Sequence, residues 1–181
     1  MKILGIVAGP RKEGHTAQLV EAVLSGAREA GHETEIFFLS DLEINPIGAD
    51  EGGYFYPEDD MAHLYPHIES MGALVFGTPI YYDHVSSRAK LFIDRLHYYS
   101  KTHGPEYRKR FPDGVKCVNV ITYDWDKEDA YDQVLKWMNR RMEHYWNMTT
   151  AGNIKAHGTG RVIQKHSKEL IEEAKNIGRS L

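Results

Sequence analysis

The sequence predicts an α/β protein of three layers, a five-stranded parallel sheet with helices on both faces, folded as one domain over residues 1–181. Short apolar runs rich in β-branched residues alternate with longer segments of helical period, and strands covered on both faces carry such continuous runs. The length agrees, since 181 residues suit one domain, which at that size buries roughly 70% of the surface its unfolded chain would expose.

Strands are expected near 2–8, 34–39, 73–77, 115–122 and 148–156. Helices are expected from Thr16 to Ala30, about Asp60 to Met71, Ser86 to Tyr99, Lys127 to Trp146 and Ser167 to Arg179. In the first, Leu19, Val20, Val23, Leu24 and Ala27 recur three and four apart and form one buried stripe, with Gly31 as the stop. Pro66 would remove an interior hydrogen bond, so the second helix is expected to restart there. Five such units fit either the strand order 2-1-3-4-5 or a Rossmann-type order, and periodicity alone leaves both open. The segments 42–58 and 100–114, rich in Gly, Pro and Tyr, are expected as long loops serving function or subunit contacts.

A net charge of −4, from 22 basic and 26 acidic residues, gives no electrostatic ground for a nucleic-acid or anionic-membrane partner. Arg108-Lys109-Arg110 is expected as a solvated loop. No window reaches the ~18 apolar residues of a membrane span, and the chain starts on a strand-like run instead of a signal peptide, so a cytoplasmic protein is expected. The single cysteine, Cys117, lies within the apolar run 115–121 and is expected as a buried core residue.

The chemistry concentrates where the first strand runs into Gly9-Pro10-Arg11-Lys12-Glu13-Gly14-His15-Thr16 and then an amphipathic helix. Glycines admit a close anion, amides at the helix start point at it, and the macrodipole adds about half a positive charge. Arg11 and the Thr16 hydroxyl supply further donors. The loop is neither Gly-x-Gly-x-x-Gly nor a Walker A sequence, so a monophosphate ester suits it better than a dinucleotide or nucleoside triphosphate. The plain alternative is a strand–helix turn with Thr16 as N-cap.

Ile3-Leu4-Gly5-Ile6-Val7 followed by Pro10-Arg11-Lys12 and Gly14-His15-Thr16 resembles the NADPH-dependent FMN reductase and iron-sulfur flavoprotein family. Val75-Phe76-Gly77-Thr78-Pro79-Ile80-Tyr81-Tyr82, then Val85-Ser86 and Lys90 to Arg95, resembles that family's third strand, flavin-ring loop and next helix. Leu42 to Pro46, Asp59-Asp60-Met61 and Glu172 to Arg179 extend the likeness along the chain. The resemblance implies a flavodoxin-like fold with order 2-1-3-4-5 and FMN at the carboxyl ends of the strands. It places Gly9, Arg11, Gly14, His15, Thr16 and Ala17 at the phosphate. Pro79, Ile80, Tyr81, Tyr82, Asp83, His84 and Val85 would border the ring, with Thr122, Tyr123, Asp124 and Trp125 facing it from the turn after the fourth strand.

Four departures bear on the carry-over. The interval Ile47 to Glu58 lacks the cysteines of the iron-sulfur members, so no cluster is expected. Gly9 stands in place of a serine and His15 in place of an asparagine, which predicts weaker or pH-dependent phosphate affinity. Tyr82-Asp83-His84 replaces an aromatic, a glycine and a small polar residue. An ionised Asp83 at about 5 Å would oppose flavin reduction by roughly 3 kcal/mol at an effective dielectric near 20; the alternative is that it turns outward to His84 or a lysine. Finally, Thr122 to Asp129 replaces a glycine-rich turn, and Tyr123 or Trp125 would either stack on the flavin or fill its pocket.

The resemblance implies an NAD(P)H-dependent oxidoreductase passing electrons to a quinone, free flavin or similar small acceptor, as a homodimer or homotetramer. The alternative is a flavodoxin-like binding or electron-carrier protein with a degenerate site. No catalytic side chain is named, because the cofactor carries the chemistry. No metal site is expected from His63 and His67, which Pro66 separates. Asp94 and Arg95 are expected as ordinary helix and interface residues beside His97, and Tyr98, Tyr99, Tyr107 and Phe111 as packing at a subunit contact.

Overall fold

A computed structural model describes residues 1–160 and 166–181. Five parallel strands, β1 (Lys2–Val7), β2 (Glu33–Phe38), β5 (Ala73–Tyr81), β7 (Lys116–Thr122) and β8 (Thr149–Ala156), form the sheet in the order β2-β1-β5-β7-β8. Counted alone, these five follow the expected order 2-1-3-4-5. The sheet departs from it in a further two-residue strand, β6 (His84–Val85), which pairs antiparallel with β5. A separate hairpin, β3 (Gly48–Asp50) with β4 (Gly53–Phe55), occupies the segment expected as loop.

Alternation along each strand feeds two cores. Leu4, Ile6, Leu74, Phe76, Cys117 and Ile121 face α2 (Met61–Ser70), α3 (Ser87–Arg95) and α5 (Asp132–Trp146). Ile3, Val7, Ala73, Val75, Val118 and Val120 face α1 (His15–Glu29) and α6 (Lys168–Arg179). Because both faces are covered, neither needs polar residues, which explains the uninterrupted apolar runs. The expected stripe of α1 is fully buried. Cys117 is buried too, and burial pushes its thiol up to about 12.

Several local expectations are corrected. Pro66 lies inside an unbroken α2, because the helix gives up one bond while Met61, Leu64 and Ile68 anchor it to the sheet. Helix α5 starts at Asp132 and not at Lys127, since Ala130 and Asp132 close turns onto Lys127 and Asp129. Arg108-Lys109-Arg110 forms the last turn of a short helix, α4 (Pro105–Arg110), where Arg110 pairs with Glu69 at 2.7 Å and donates to Tyr98 at 2.7 Å. Tyr98, Tyr99, Tyr107 and Phe111 pack within the chain: Tyr98 stacks on Tyr65 at 4.3 Å, and Tyr99 and Phe111 are buried. Arg95 is likewise buried, in an ion pair with Asp59. His63 faces solvent beside Asp60, while His67 turns to Glu35. No group of three or more His, Cys, Asp or Glu able to hold a metal occurs among the described residues.

Candidate functional site

The sheet order reverses between β1 and β5, and such a switch point leaves a crevice at the carboxyl ends of the strands. A cleft of about 220 Å³ lies there. Its floor comes from Gly9, Arg11, Gly14, His15 and Thr16 after β1; Pro79, Ile80 and Tyr81 at the end of β5, Thr122 at the end of β7, and Tyr123 and Asp124 just beyond it complete most of its walls.

The floor gathers hydrogen-bond donors at a helix start. Gly14 caps α1, and its amide donates to the Arg11 carbonyl at 3.1 Å to close the turn. Thr16 is therefore the second residue of the helix, not its N-cap. Its buried hydroxyl lies 2.7 Å from that of Thr122; one proton joins the pair, which leaves the other hydroxyl proton as a donor. Lys12 is drawn away to Asp41 at 2.7 Å, whereas Arg11 stays exposed at the mouth. The base of the loop is locked by Ser86, which caps α3, accepts from the Ala89 amide and donates to the Ala8 carbonyl at 3.1 Å.

His15 opens α1 and meets His166: His15 Nδ1 and His166 Nε2 are 3.3 Å apart, and His166 Nε2 also donates to the His15 carbonyl at 3.1 Å. His15 Nε2 is buried without a hydrogen-bond partner among the described residues. An orphaned polar atom beside a helix N-terminus fits an anionic ligand that would complete it. Burial pushes the His166 imidazole below the ordinary histidine value, and the bond to the His15 carbonyl only partly opposes that.

At the tip between β5 and β6, Asp83 pairs with neither His84 nor a lysine among the described residues. Tyr82 (φ 48°) and Asp83 (φ 64°) are the left-handed central residues of a two-residue hairpin between Tyr81 and His84. Such turns favour glycine or asparagine-like residues, which accounts for the glycine of the resembling family at this position. Asp83 tolerates the strain better than most side chains, and its carboxylate accepts from the Tyr131 hydroxyl at 2.8 Å. That bond, ahead of burial, raises the Tyr131 phenol. Tyr82 is fully exposed at the tip, and His84 packs edge-on against Trp137 at 4.6 Å.

After β7, Tyr123 is buried and donates to the Glu128 carbonyl, so it fills space beneath the turn, while Trp125 stands exposed on the rim. Ala17 and Val85 are buried and line no part of the cleft; Tyr82, Asp83, His84 and Trp125 lie outside it as well. Sequence reasoning missed Thr159 and Gly160, which close the cleft from beyond β8. The Asp124 carboxylate accepts from the Gly160 amide at 2.8 Å, and the amides of Gly158 and Thr159 donate to the carbonyls of Trp125 and Tyr123. The Gly158-Thr159-Gly160 triplet after a strand is the available sequence signal.

Comparisons with known proteins agree with the fold. A NAD(P)H:quinone oxidoreductase structure from Methanothermobacter marburgensis superimposes with a TM-score of 0.71 at 20% identity, over 99% of this chain and 95% of that one, which shows the fold. An iron-sulfur flavoprotein of Methanocaldococcus jannaschii, MJ1083, is 36% identical over 99 residues, 52% of this chain and 51% of that relative, so the match spans about half of its length. A Bacillus subtilis protein described as an NAD(P)H-dependent FMN-containing oxidoreductase is 30% identical over 176 residues, 92% of this chain and 91% of the relative. The model of the NADPH-dependent FMN reductase family matches residues 1–111. This chain belongs to the NADPH-dependent FMN reductase family.

Proposed function

We propose that the protein binds FMN in this cleft and works as an NAD(P)H-dependent oxidoreductase whose electron acceptor is a small molecule such as a quinone or free flavin. The observation that carries the reading is the convergence of the Thr16–Thr122 hydroxyl pair, the orphaned His15 Nε2 and the exposed Arg11 on one helix N-terminus at the switch point. These residues would hold the phosphate. The cleft is smaller than the ~300 Å³ at which drug-sized pockets begin, so it suits the phosphate end of FMN, and the flat faces of Tyr81 on its wall and of Tyr82 and Trp125 beyond it suit the ring. FMN, when bound, supplies hydride acceptance from nicotinamide and onward electron transfer.

The chain's own contribution is positioning. Thr78 and Ser86 fix the ring-side loop against β1, and Asp83 is held back by Tyr131 instead of lying free to oppose electron density. We further propose FMN without a cluster, supported by a lone cysteine buried in β7, and a homodimer or homotetramer, supported by the exposed aromatic rim that a neighbouring copy would cover. The carrier alternative has no specific contact in its favour.

Titration with FMN, followed by its visible spectrum and fluorescence quenching, tests the cofactor; anaerobic mixing with NADPH tests the reaction by bleaching. Arg11→Ala is expected to weaken FMN roughly 10- to 100-fold, the loss of a charged hydrogen bond of about 1.5–3 kcal/mol, and to leave riboflavin affinity unchanged. Equal losses for both ligands would move the phosphate elsewhere.

Gly9 gives an opposite prediction. A Cβ built there lies 3.5 Å from Thr16 Oγ1 and 3.7 Å from Pro79 Cδ, ordinary contact distances. Gly9→Ser is therefore expected to fold normally and, by adding a hydroxyl donor beside Thr16, to tighten FMN by about fivefold, one net hydrogen bond. Parallel FMN and riboflavin titrations check it.

A further inference from the structure

The contact between His15 and His166 fixes more than a distance. A carbonyl oxygen can only accept, so the 3.1 Å contact with the His15 carbonyl places a proton on His166 Nε2. That same N–H faces His15 Nδ1 at 3.3 Å, a shared bond in which His15 Nδ1 must be the acceptor. A neutral His15 then carries its proton on Nε2, the buried atom without a partner among the described residues. His166 thereby turns His15 into a donor beside the α1 N-terminus.

The pair has room for one more proton at only one place. Protonating His15 Nδ1 would set two N–H groups against each other across 3.3 Å. His166 Nδ1 takes part in neither contact, so a proton there leaves both intact and makes the shared bond charge-assisted. Among the described residues, the charged and titratable groups around the pair are Arg11 on the loop after β1, Asp124 and Glu128 after β7, Lys155 and His157 at the end of β8, and Glu173 on α6. Lys155 is held by Asp132 at 2.7 Å and His157 by Asp126 at 3.2 Å, so against the described residues a bound phosphate dianion is a large new charge for the pair.

We propose that His166 is a positioning residue for phosphate recognition: it fixes the His15 tautomer so that Nε2–H donates to the phosphate, and it takes a proton from solvent on Nδ1 when the phosphate binds. The proposal rests on the FMN reading of the cleft. It predicts that affinity for the phosphorylated flavin depends on pH through a residue 151 positions away in sequence from His15. Bound phosphate raises the His166 value, so affinity grows as pH falls through the raised value and levels off below the value of the free protein.

FMN and riboflavin affinities are measured by fluorescence quenching across neutral pH for the wild type and for His166→Gln, which keeps an N–H donor but cannot be protonated. For the wild type, FMN is expected to bind about five- to tenfold more tightly at about pH 6.5 than at about pH 8, within the limit of tenfold per pH unit for one proton. Riboflavin should show no trend, and His166→Gln should flatten the FMN profile near the wild-type high-pH affinity. Calorimetry in buffers of different ionisation enthalpy should show more protons taken up per FMN bound in the wild type than in the variant, by up to one. The second ionisation of the FMN phosphate, near pH 6, is common to both proteins and drops out of the comparison. An equal slope in His166→Gln, or the same slope with riboflavin, overturns the proposal. Preference for FMN with no pH trend overturns it and leaves the site reading standing, whereas no preference of FMN over riboflavin at any pH overturns both.

Discussion

Arg95→Ala is expected to cost about 3–5 kcal/mol, the usual loss when one partner of a buried ion pair is removed. Arg95 and Asp59 have side-chain exposures of only 1% and 2%. The guanidinium also donates to the Asn45 carbonyl at 2.8 Å, while Asp59 accepts from the amides of Asn45 at 2.8 Å and Met61 at 3.0 Å. Alanine would leave a buried carboxylate facing the gap and free the loop carrying β3 and β4, since that loop is fastened at both ends to this pair. Urea denaturation should show a lower midpoint, with proteolysis appearing first between residues 42 and 60. Replacing both partners with apolar residues of similar volume should recover much of the loss, because the pair's attraction is offset by its desolvation.

The pair also sets an acid limit. Burial alone would raise the Asp59 carboxyl, but the Arg95 hydrogen bond and the two backbone amides outweigh it and hold the group below the ordinary aspartate value. Its stabilisation is therefore complete above the unfolded value of about 3.9 and is lost as pH falls through the lower, folded value. The same melts repeated in acid should show the wild type losing its advantage over Arg95→Ala below that range.

How far the sequence carried depended on whether the signal was local. The stripe from Leu19 to Ala27 and the five apolar strand runs are patterns of neighbours, and each appears where its period placed it. The turn from Gly9 to Thr16 was legible for the same reason, since strand, glycine turn and helix are consecutive. Asp83 was not, because its role follows from a positive φ and from Tyr131, 48 positions away. His166 and Thr159 come to the site only through the crossing of α1 and α6 and the pairing of loops after β7 and β8. The aromatic group around Tyr98 was read as a subunit contact because its partner Tyr65 lies on another helix. Pro66 misled for the opposite reason: a local penalty of one hydrogen bond was outweighed by three buried anchors.

Gly178→Ala carries the second large effect, expected as a loss of about 3 kcal/mol, at the upper end of the cost of overpacking. Alanine in an exposed helix interior would gain about 1 kcal/mol over glycine. Here the sign reverses, because a Cβ on Gly178 would stand 2.0 Å from the Val23 carbonyl oxygen and 2.9 Å from the Ala27 nitrogen. The reciprocal position is as tight, with a Cβ on Gly26 falling 2.0 Å from the Lys175 carbonyl oxygen. Both obstacles are main chain within helices, so no side-chain rotation relieves them; α6 must lift from α1. That motion reaches the site, because His166 lies just before α6 and its contact with His15 spans the N-terminal ends of the same two helices. Thermal or urea unfolding should register the lost stability. Titrations on the still-folded variant should show FMN affinity falling and its pH dependence weakening together, as separation of His15 from His166 requires, with riboflavin affinity unchanged.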